Sequence, residues 1–248
     1  MISFVVVGSG SKGNATLLFD EETLIQIDMG LPMKRVSAAL ASIKKNKTDL
    51  QGILVTHEHT DHVKNLSMYK GKVPIYASKG TIDYLDHEVV PFDSFEIGSL
   101  TIIPFMTSHD ASNPVGYVVI SGESKLVYLT DSGYVPEESL SYLKDADYYI
   151  MESNHDLKML LKSNRPAVLK RRIKGDEGHL SNVDSALYLS ELVGPKTKGI
   201  YLAHLSEECN LPELALEAYQ KTFRKKEVPY NIDIVCLKQH ESTRGGDL

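Results

Sequence analysis

The stretch Ile53-Leu54-Val55-Thr56-His57-Glu58-His59-Thr60-Asp61-His62 decides how this chain is read. Three apolar residues form a short buried strand, and the strand runs straight into three imidazoles and an aspartate. In extended backbone His57 and His59 project to the same side, so both can reach one cation. Asp61 and His62 are adjacent and diverge, which suits a second cation a few ångströms away. The arrangement is not the HExxH of a zincin, because Asp61 stands where that motif requires histidine.

Two cations need more ligands than one loop supplies, and further His and Asp stand at strand ends. His109 follows the strand 100–105, Asp131 ends the strand 125–130, and His204 ends the strand 199–203. Each occupies the position that His57 occupies, just past a buried apolar run. Asp28 likewise closes the strand 24–27.

The surrounding pattern predicts an α/β protein. Apolar runs at 2–7, 15–19, 24–27, 53–55, 73–77, 100–105, 116–120, 125–130, 148–152, 199–203 and 232–237 read as strands. Helical spacing follows Pro32 through Val36, Leu40 and Ile43, and recurs at 156–161, 167–173, 182–193 and 212–223. Weaker helical character is expected at 80–87, and Ser181 or Asn182 is a natural N-cap. Sheets covered by helices follow, and a four-layer αββα sandwich fits as well as a three-layer fold. No linker or repeat divides the 248 residues, so a single domain over 1–248 is expected.

Composition narrows the partners. A net charge of −6 argues against bulk electrostatic coating of nucleic acid. Two local basic stretches stand out, Lys170-Arg171-Arg172 with Lys174, and Arg224-Lys225-Lys226. Solvated helix faces are the plain explanation for both. Cys209 and Cys236 give neither a disulfide framework nor a CxxC motif. No apolar run approaches a membrane span and no signal segment is legible, so a soluble cytoplasmic protein is expected.

Gly8-Ser9-Gly10-Ser11-Lys12-Gly13 matches a dinucleotide fingerprint, with Asp28 twenty residues beyond Gly8. The nine residues Asn14–Glu22 cannot hold the crossover helix that such a site needs, and 15–19 is β-like. A tight glycine turn remains, either plain or with amides facing an anion.

The strand–HxHxDH loop followed by a His, an Asp and a late His resembles the metallo-β-lactamase superfamily over nearly the whole chain. That resemblance implies a hydrolase with the αββα fold and two divalent metal ions (Zn²⁺, Mn²⁺ or Fe). It assigns His57, His59 and His109 to the first ion, Asp61, His62 and His204 to the second, and Asp131 to a bridge. Asp28 would orient the metal loop from behind. True β-lactamases typically carry cysteine where an acid stands here, which argues against antibiotic hydrolysis.

Gly8–Asn14, Ser108-His109-Asp110-Ala111, Thr130-Asp131-Ser132-Gly133-Tyr134, Glu152-Ser153-Asn154-His155-Asp156 and Gly178-His179-Leu180-Ser181-Asn182 resemble the YycJ/WalJ/VicX group. This group is described as 5′→3′ DNA exonucleases encoded beside a WalK–WalR type two-component system. The resemblance therefore implies DNA as partner and a metal-bridging hydroxide as nucleophile, while the lack of an apolar span implies no membrane partner. Asp61 and His179 would be catalytic, His179 as general acid beside a helix start whose amides could hold a phosphate. Asn154, His155 and Ser181 would contact substrate, while His87 and His240 read as surface or packing residues. A glyoxalase II-like thioesterase or lactonase uses the same metal ligands, and a non-catalytic regulator of the signalling system is the alternative from another class. A diiron oxidoreductase is remote, since no flavin domain follows.

Overall fold

The computed structural model describes residues 1–229 and 231–247. It contains two seven-stranded sheets with helices, the α/β class that the apolar runs predict. The first sheet has strand order β14-β1-β2-β3-β4-β5-β6. Its strands are β1 (Ser3–Gly8), β2 (Ala15–Phe19), β3 (Leu24–Ile27), β4 (Gly52–Leu54), β5 (Ile75–Ser78), β6 (His87–Val89) and β14 (Thr243–Gly246). β14, β1, β2 and β3 pair antiparallel, whereas β3 through β6 run parallel.

The second sheet has order β13-β12-β11-β10-β9-β8-β7. It is built from β7 (Phe95–Ile97), β8 (Leu100–Met106), β9 (Val115–Ser121), β10 (Ser124–Leu129), β11 (Tyr148–Glu152), β12 (Gly199–Ala203) and β13 (Asp233–Cys236). β10 to β13 are parallel, with every residue of β11 buried. Parallel strands covered on both faces carry continuous apolar runs rather than alternation, and Tyr148–Glu152 and Gly199–Ala203 read that way.

Helices are α1 (Met33–Ser42), α2 (Thr60–Val63), α3 (Glu137–Leu143), α4 (Leu157–Lys162), α5 (Ala167–Ile173), α6 (Asn182–Leu192) and α7 (Pro212–Lys225). Their starts follow the sequence signals. Pro32 precedes α1, Pro212 opens α7, and the Ser181 side chain caps α6 by accepting from Asp184 N. α3 was not foreseen, although Pro136-Glu137-Glu138 is a helix-start signal.

The helical expectation at 80–87 is wrong. Residues 80–86 hold no helix, and β6 begins at His87. Asp86 decides this: its amide donates to Ile75 O at 2.9 Å, and its carboxylate accepts from Ile75 N at 2.9 Å. Pairing to the β5 edge therefore overrides a weak propensity.

The described residues group into two compact units. One comprises Met1–Phe105, Ala111–Lys125 and Lys238–Leu248, the other Met106–Asp110 and Leu126–Leu237. Because the chain passes between them repeatedly, no linker marks a boundary in the sequence. No helix among the described residues is long and apolar enough to cross a membrane.

In the second unit the fully buried Tyr149 ring ties three elements together. Its hydroxyl lies 2.8 Å from Leu143 O and 2.9 Å from Leu192 O, and accepts from Ala146 N at 3.1 Å. Tyr149→Phe keeps the ring but strands these buried groups, so it should cost about 1–3 kcal/mol. Chemical denaturation of the variant would read this as a lower midpoint at unchanged slope.

Candidate metal centre

In the first unit, parallel pairing of β3 with β4 (Ile27 opposite Leu54) brings Asp28 beside Thr56. The buried Asp28 carboxylate accepts from Thr56 N at 2.9 Å and from the Thr56 hydroxyl at 3.0–3.1 Å. It also sits 2.7 Å from His62 Nδ1. That contact places the proton on Nδ1 and makes Nε2 the acceptor nitrogen, the one able to bind a cation, which Asn14 Nδ2 reaches at 3.0 Å here. The His57 ring lies tilted against His62 at 4.1 Å between centroids, and His59 lies 4.6 Å from His57. Asp61 Oδ2 is 3.7 Å from His62 Nε2. The whole sequence motif is therefore gathered in one place, with His57 and His62 buried and His59 and Asp61 half-exposed.

Backbone contacts fix this loop. Asn14 N donates to Asp61 O at 2.8 Å, Met29 N to His62 O at 2.7 Å, and Gly30 N to Asn14 O at 2.9 Å. Gly30 must lack a side chain, because a Cβ there would fall 1.6 Å from Asp61 O. These bonds also settle the glycine-rich turn. The amides of residues 9, 10, 12, 13 and 14 all donate within the protein, and Asn14 Nδ2 reaches His62 Nε2 at 3.0 Å. β2 follows the turn, so the loop supports the His62 ring rather than facing an anion or a dinucleotide.

The second unit carries the remaining residues. Asp131 and His204 follow β10 and β12, and both adopt left-handed backbone, φ 56° and 55°, as Asp28 does at 59°. Non-glycine residues rarely sit there, and Asp, Asn and His tolerate it best. Such strain, of order 1–3 kcal/mol per residue, persists only where surrounding structure enforces it.

His109 Nδ1 lies 3.0 Å from Gly178 O, so Nδ1 carries the proton and Nε2 turns to Asp131 Oδ1 at 3.9 Å. Burial pushes the His109 pKa down, more than the nearby Asp131 charge raises it. A neutral imidazole with its far nitrogen anchored is the form that binds a cation.

Glu152, at the end of β11, organises this half. Its Oε1 lies 2.8 Å from His179 Nδ1 and 3.0 Å from His204 Nδ1, while Oε2 accepts from Ser132 N and Leu180 N. Burial works to raise its pKa, but the His179 charge and bonds from both imidazoles prevail and hold it down at about 2. Donor atoms of Asp131, Glu152, His179 and His204 all lie within 4.8 Å of one another. Glu152 is the site residue that sequence reading missed. Its signals were an acid at the end of an otherwise apolar strand and its place at the head of the 152–156 motif.

The proposed substrate contacts are buried in the same unit. Asn154 Nδ2 donates to His204 O at 3.0 Å and so helps position that ring. His155 is buried with Nδ1 lacking a hydrogen-bond partner, and burial pushes its pKa down to about 4. Ser181 is engaged with Asp184 at the α6 cap. His87 stacks on Tyr76 at 4.5 Å, in keeping with a packing role, and His240 is exposed.

The donor set fits a divalent cation by its chemistry. Imidazoles with Nδ1 anchored and buried carboxylates suit zinc, manganese or iron. Neither cysteine takes part, since Cys209 packs with Leu160 and Ile173, and Cys236 ends β13. The Glu152 pKa is lowered, so its stabilisation is complete above about pH 4.5 and is lost as pH falls toward about 2. Glu152→Gln replaces an acceptor by a donor facing amides or imidazole Nδ1–H. Urea midpoints from pH 6 down to 3 (roughly) should drop more steeply for the native protein than for this variant.

Residues 27–204 match the family described as Beta-lactamase superfamily domain. Exodeoxyribonuclease YycJ of Bacillus anthracis is 36% identical over 238 residues, covering 91% of this chain and 90% of that protein. Exodeoxyribonuclease WalJ of Streptococcus pneumoniae serotype 2 (strain D39 / NCTC 7466) is also 36% identical, over 227 residues, covering 86% and 84%. Among solved structures, the metallo-β-lactamase fold protein YhfI from Bacillus subtilis superposes with a TM-score of 0.74 over 98% of this chain and 99% of that one, at 16% identity. The chain therefore has the metallo-β-lactamase fold, and it belongs to the metallo-β-lactamase superfamily alongside YycJ and WalJ.

Proposed function

We propose that this hydrolase is a divalent-metal-dependent phosphodiesterase that degrades DNA exonucleolytically from the 5′ end, in the cytoplasm. One observation carries the phosphodiester reading: the half-buried His179 ring, clamped at Nδ1 by Glu152 at 2.8 Å and 3.6 Å from Asp131. The exodeoxyribonuclease names of two relatives covering most of this chain support DNA as the substrate.

The ligand assignment is part of the proposal. Two divalent ions would be held by His57, His59 and His109, and by Asp61, His62 and His204, with Asp131 shared. Support comes from superfamily membership and from the anchored Nδ1 atoms of His62, His109 and His204, each of which commits Nε2 as the ligand atom. Such ions supply Lewis-acid charge at phosphoryl oxygens and a water acidic enough to ionise near neutral pH.

The chain's own groups do the rest. Glu152 holds Nδ1–H of His179 and orients the ring. Its negative charge favours the imidazolium, whose Nε2–H would pass its proton to the leaving oxygen and leave the neutral Nδ1–H form. Asp28 holds the His62 ring, and Thr56 links Asp28 to His57 Nδ1 at 3.1 Å. The buried Nδ1 of His155 has no hydrogen-bond partner, and as an N–H it would donate to a phosphate or sugar oxygen brought against it. Asn154 would act on substrate indirectly, through His204.

Digestion of 5′- and 3′-labelled single- and double-stranded DNA by the metal-loaded protein tests this reading. Mononucleotides should be released from the 5′ end, and Asp61→Ala should abolish the reaction. His179→Ala should lower kcat by about 10²–10⁴, the usual contribution of a general acid. Phosphodiester cleavage insensitive to His179→Ala, with thioester hydrolysis persisting, would show this nuclease mechanism to be wrong.

A further inference from the structure

The α4–α5 helical pair carries a charge distribution that the proposed chemistry leaves unexplained. Residues 157–174 contain Lys158, Lys162, Arg165, Lys170, Arg171, Arg172 and Lys174 and no acid, in a chain whose net charge is −6. Elsewhere the signs are mixed, as in α7, where Glu213 and Glu217 offset Lys221, Arg224 and Lys225. Helix-dipole compensation accounts for the last turn of α5, but not for Lys158 in the first turn of α4, nor for Arg165 and Lys174 outside both helices.

The pair is built to hold its shape. Asp156 caps α4 by accepting from Met159 N at 2.8 Å, and Lys170 Nζ donates to Leu161 O and Ser163 O at 2.8 and 2.6 Å. Leu160, Ile173 and Cys209 form a small core beneath it, with Leu169 packed alongside. Arg165 and Arg172 are committed to Glu208 and Asp110. Lys158, Lys162, Arg171 and Lys174 are exposed and make no ion pair among the described residues.

The end of this cationic surface is joined to the candidate centre. His179 N donates to Ile173 O at 2.8 Å, directly after the α5 carbonyls. Gly178 packs so closely that a Cβ would fall 2.2 Å from Arg172 O. Asn154 and His155 lead into α4 on the other side, through Asp156.

We propose that α4–α5 is a track for the phosphodiester backbone of a single-stranded nucleic acid, holding the strand beyond the residue being cleaved. This rests on the phosphodiesterase reading and extends it to how substrate is retained. Unpaired lysine and arginine are complementary to a polyanion, and the segment has no aromatic side chain for base stacking. Binding should therefore be independent of sequence and strongly salt-dependent. Exposed Leu157, Leu161 and Val168 raise a lipid surface as the competing occupant. Helices of six and seven residues without aromatic anchors are poor interfacial elements, which favours the nucleic acid.

Fluorescence anisotropy with a phosphorothioate strand of about twenty nucleotides, which resists cleavage but keeps its backbone charge, reads binding separately from turnover. The variant Lys158→Glu/Lys162→Glu/Arg171→Glu/Lys174→Glu should raise Kd about tenfold or more and reduce the salt slope by about 3. Hydrolysis of bis(4-nitrophenyl) phosphate and the thermal midpoint should be unchanged. Lys158→Arg/Lys162→Arg/Arg171→Lys/Lys174→Arg should bind like the native chain. Native Kd and slope in the charge-reversed variant would overturn the track, even if native protein cleaves DNA. Loss of binding to phosphatidylglycerol vesicles, with DNA binding intact, would overturn it in favour of a membrane. If the native chain binds the strand with this salt dependence but cleaves none, the track stands and the nuclease reading fails.

Discussion

An imidazole presents Nε2 to a cation in a fixed direction when another group holds Nδ1. Two buried carboxylates impose this condition here. Asp28 anchors His62 in the first unit, and Glu152 anchors His179 and His204 in the second, with Gly178 O doing the same for His109. Backbone amides and imidazole N–H groups surround Glu152 and keep it charged at depth, and Thr56 N and hydroxyl donate to Asp28. Remove either clamp and the rings keep their positions in sequence but lose their direction.

The fold serves these clamps. Asp28, Asp131, Glu152 and His204 lie at or just past the carboxyl ends of strands in parallel ladders, where loops open and side chains converge. Three of them occupy left-handed backbone, which turns the chain sharply off the strand. The Gly8–Asn14 loop, which resembles a nucleotide fingerprint, satisfies most of its amides within itself and on Lys238 and Gln239. It holds the metal loop through Asn14, whose N donates to Asp61 O and whose Nδ2 reaches His62 Nε2.

Much of this was legible in the chain. The HxHxDH loop, His109, Asp131 and His204 all announce themselves as His or Asp following an apolar run, because a buried strand end is an expensive place for such residues without a partner. Glu152 obeys the same rule yet was passed over as part of a strand, since its two imidazole partners lie 27 and 52 residues away. The helix expected at 80–87 failed because Asp86 pairs with Ile75, a tertiary bond that periodicity cannot register. Interleaving of the two compact units likewise left no compositional trace.

If the anchored imidazoles serve a cation, phosphodiester cleavage depends on divalent metal. The most direct test is titration of metal back into metal-stripped protein, with bound metal and cleavage rate followed together. Cleavage should be absent at the start, rise with occupancy and level off near two ions per chain (roughly, as for two-metal phosphodiesterases). Undiminished cleavage by the stripped protein, or a rate unrelated to bound metal, would contradict it.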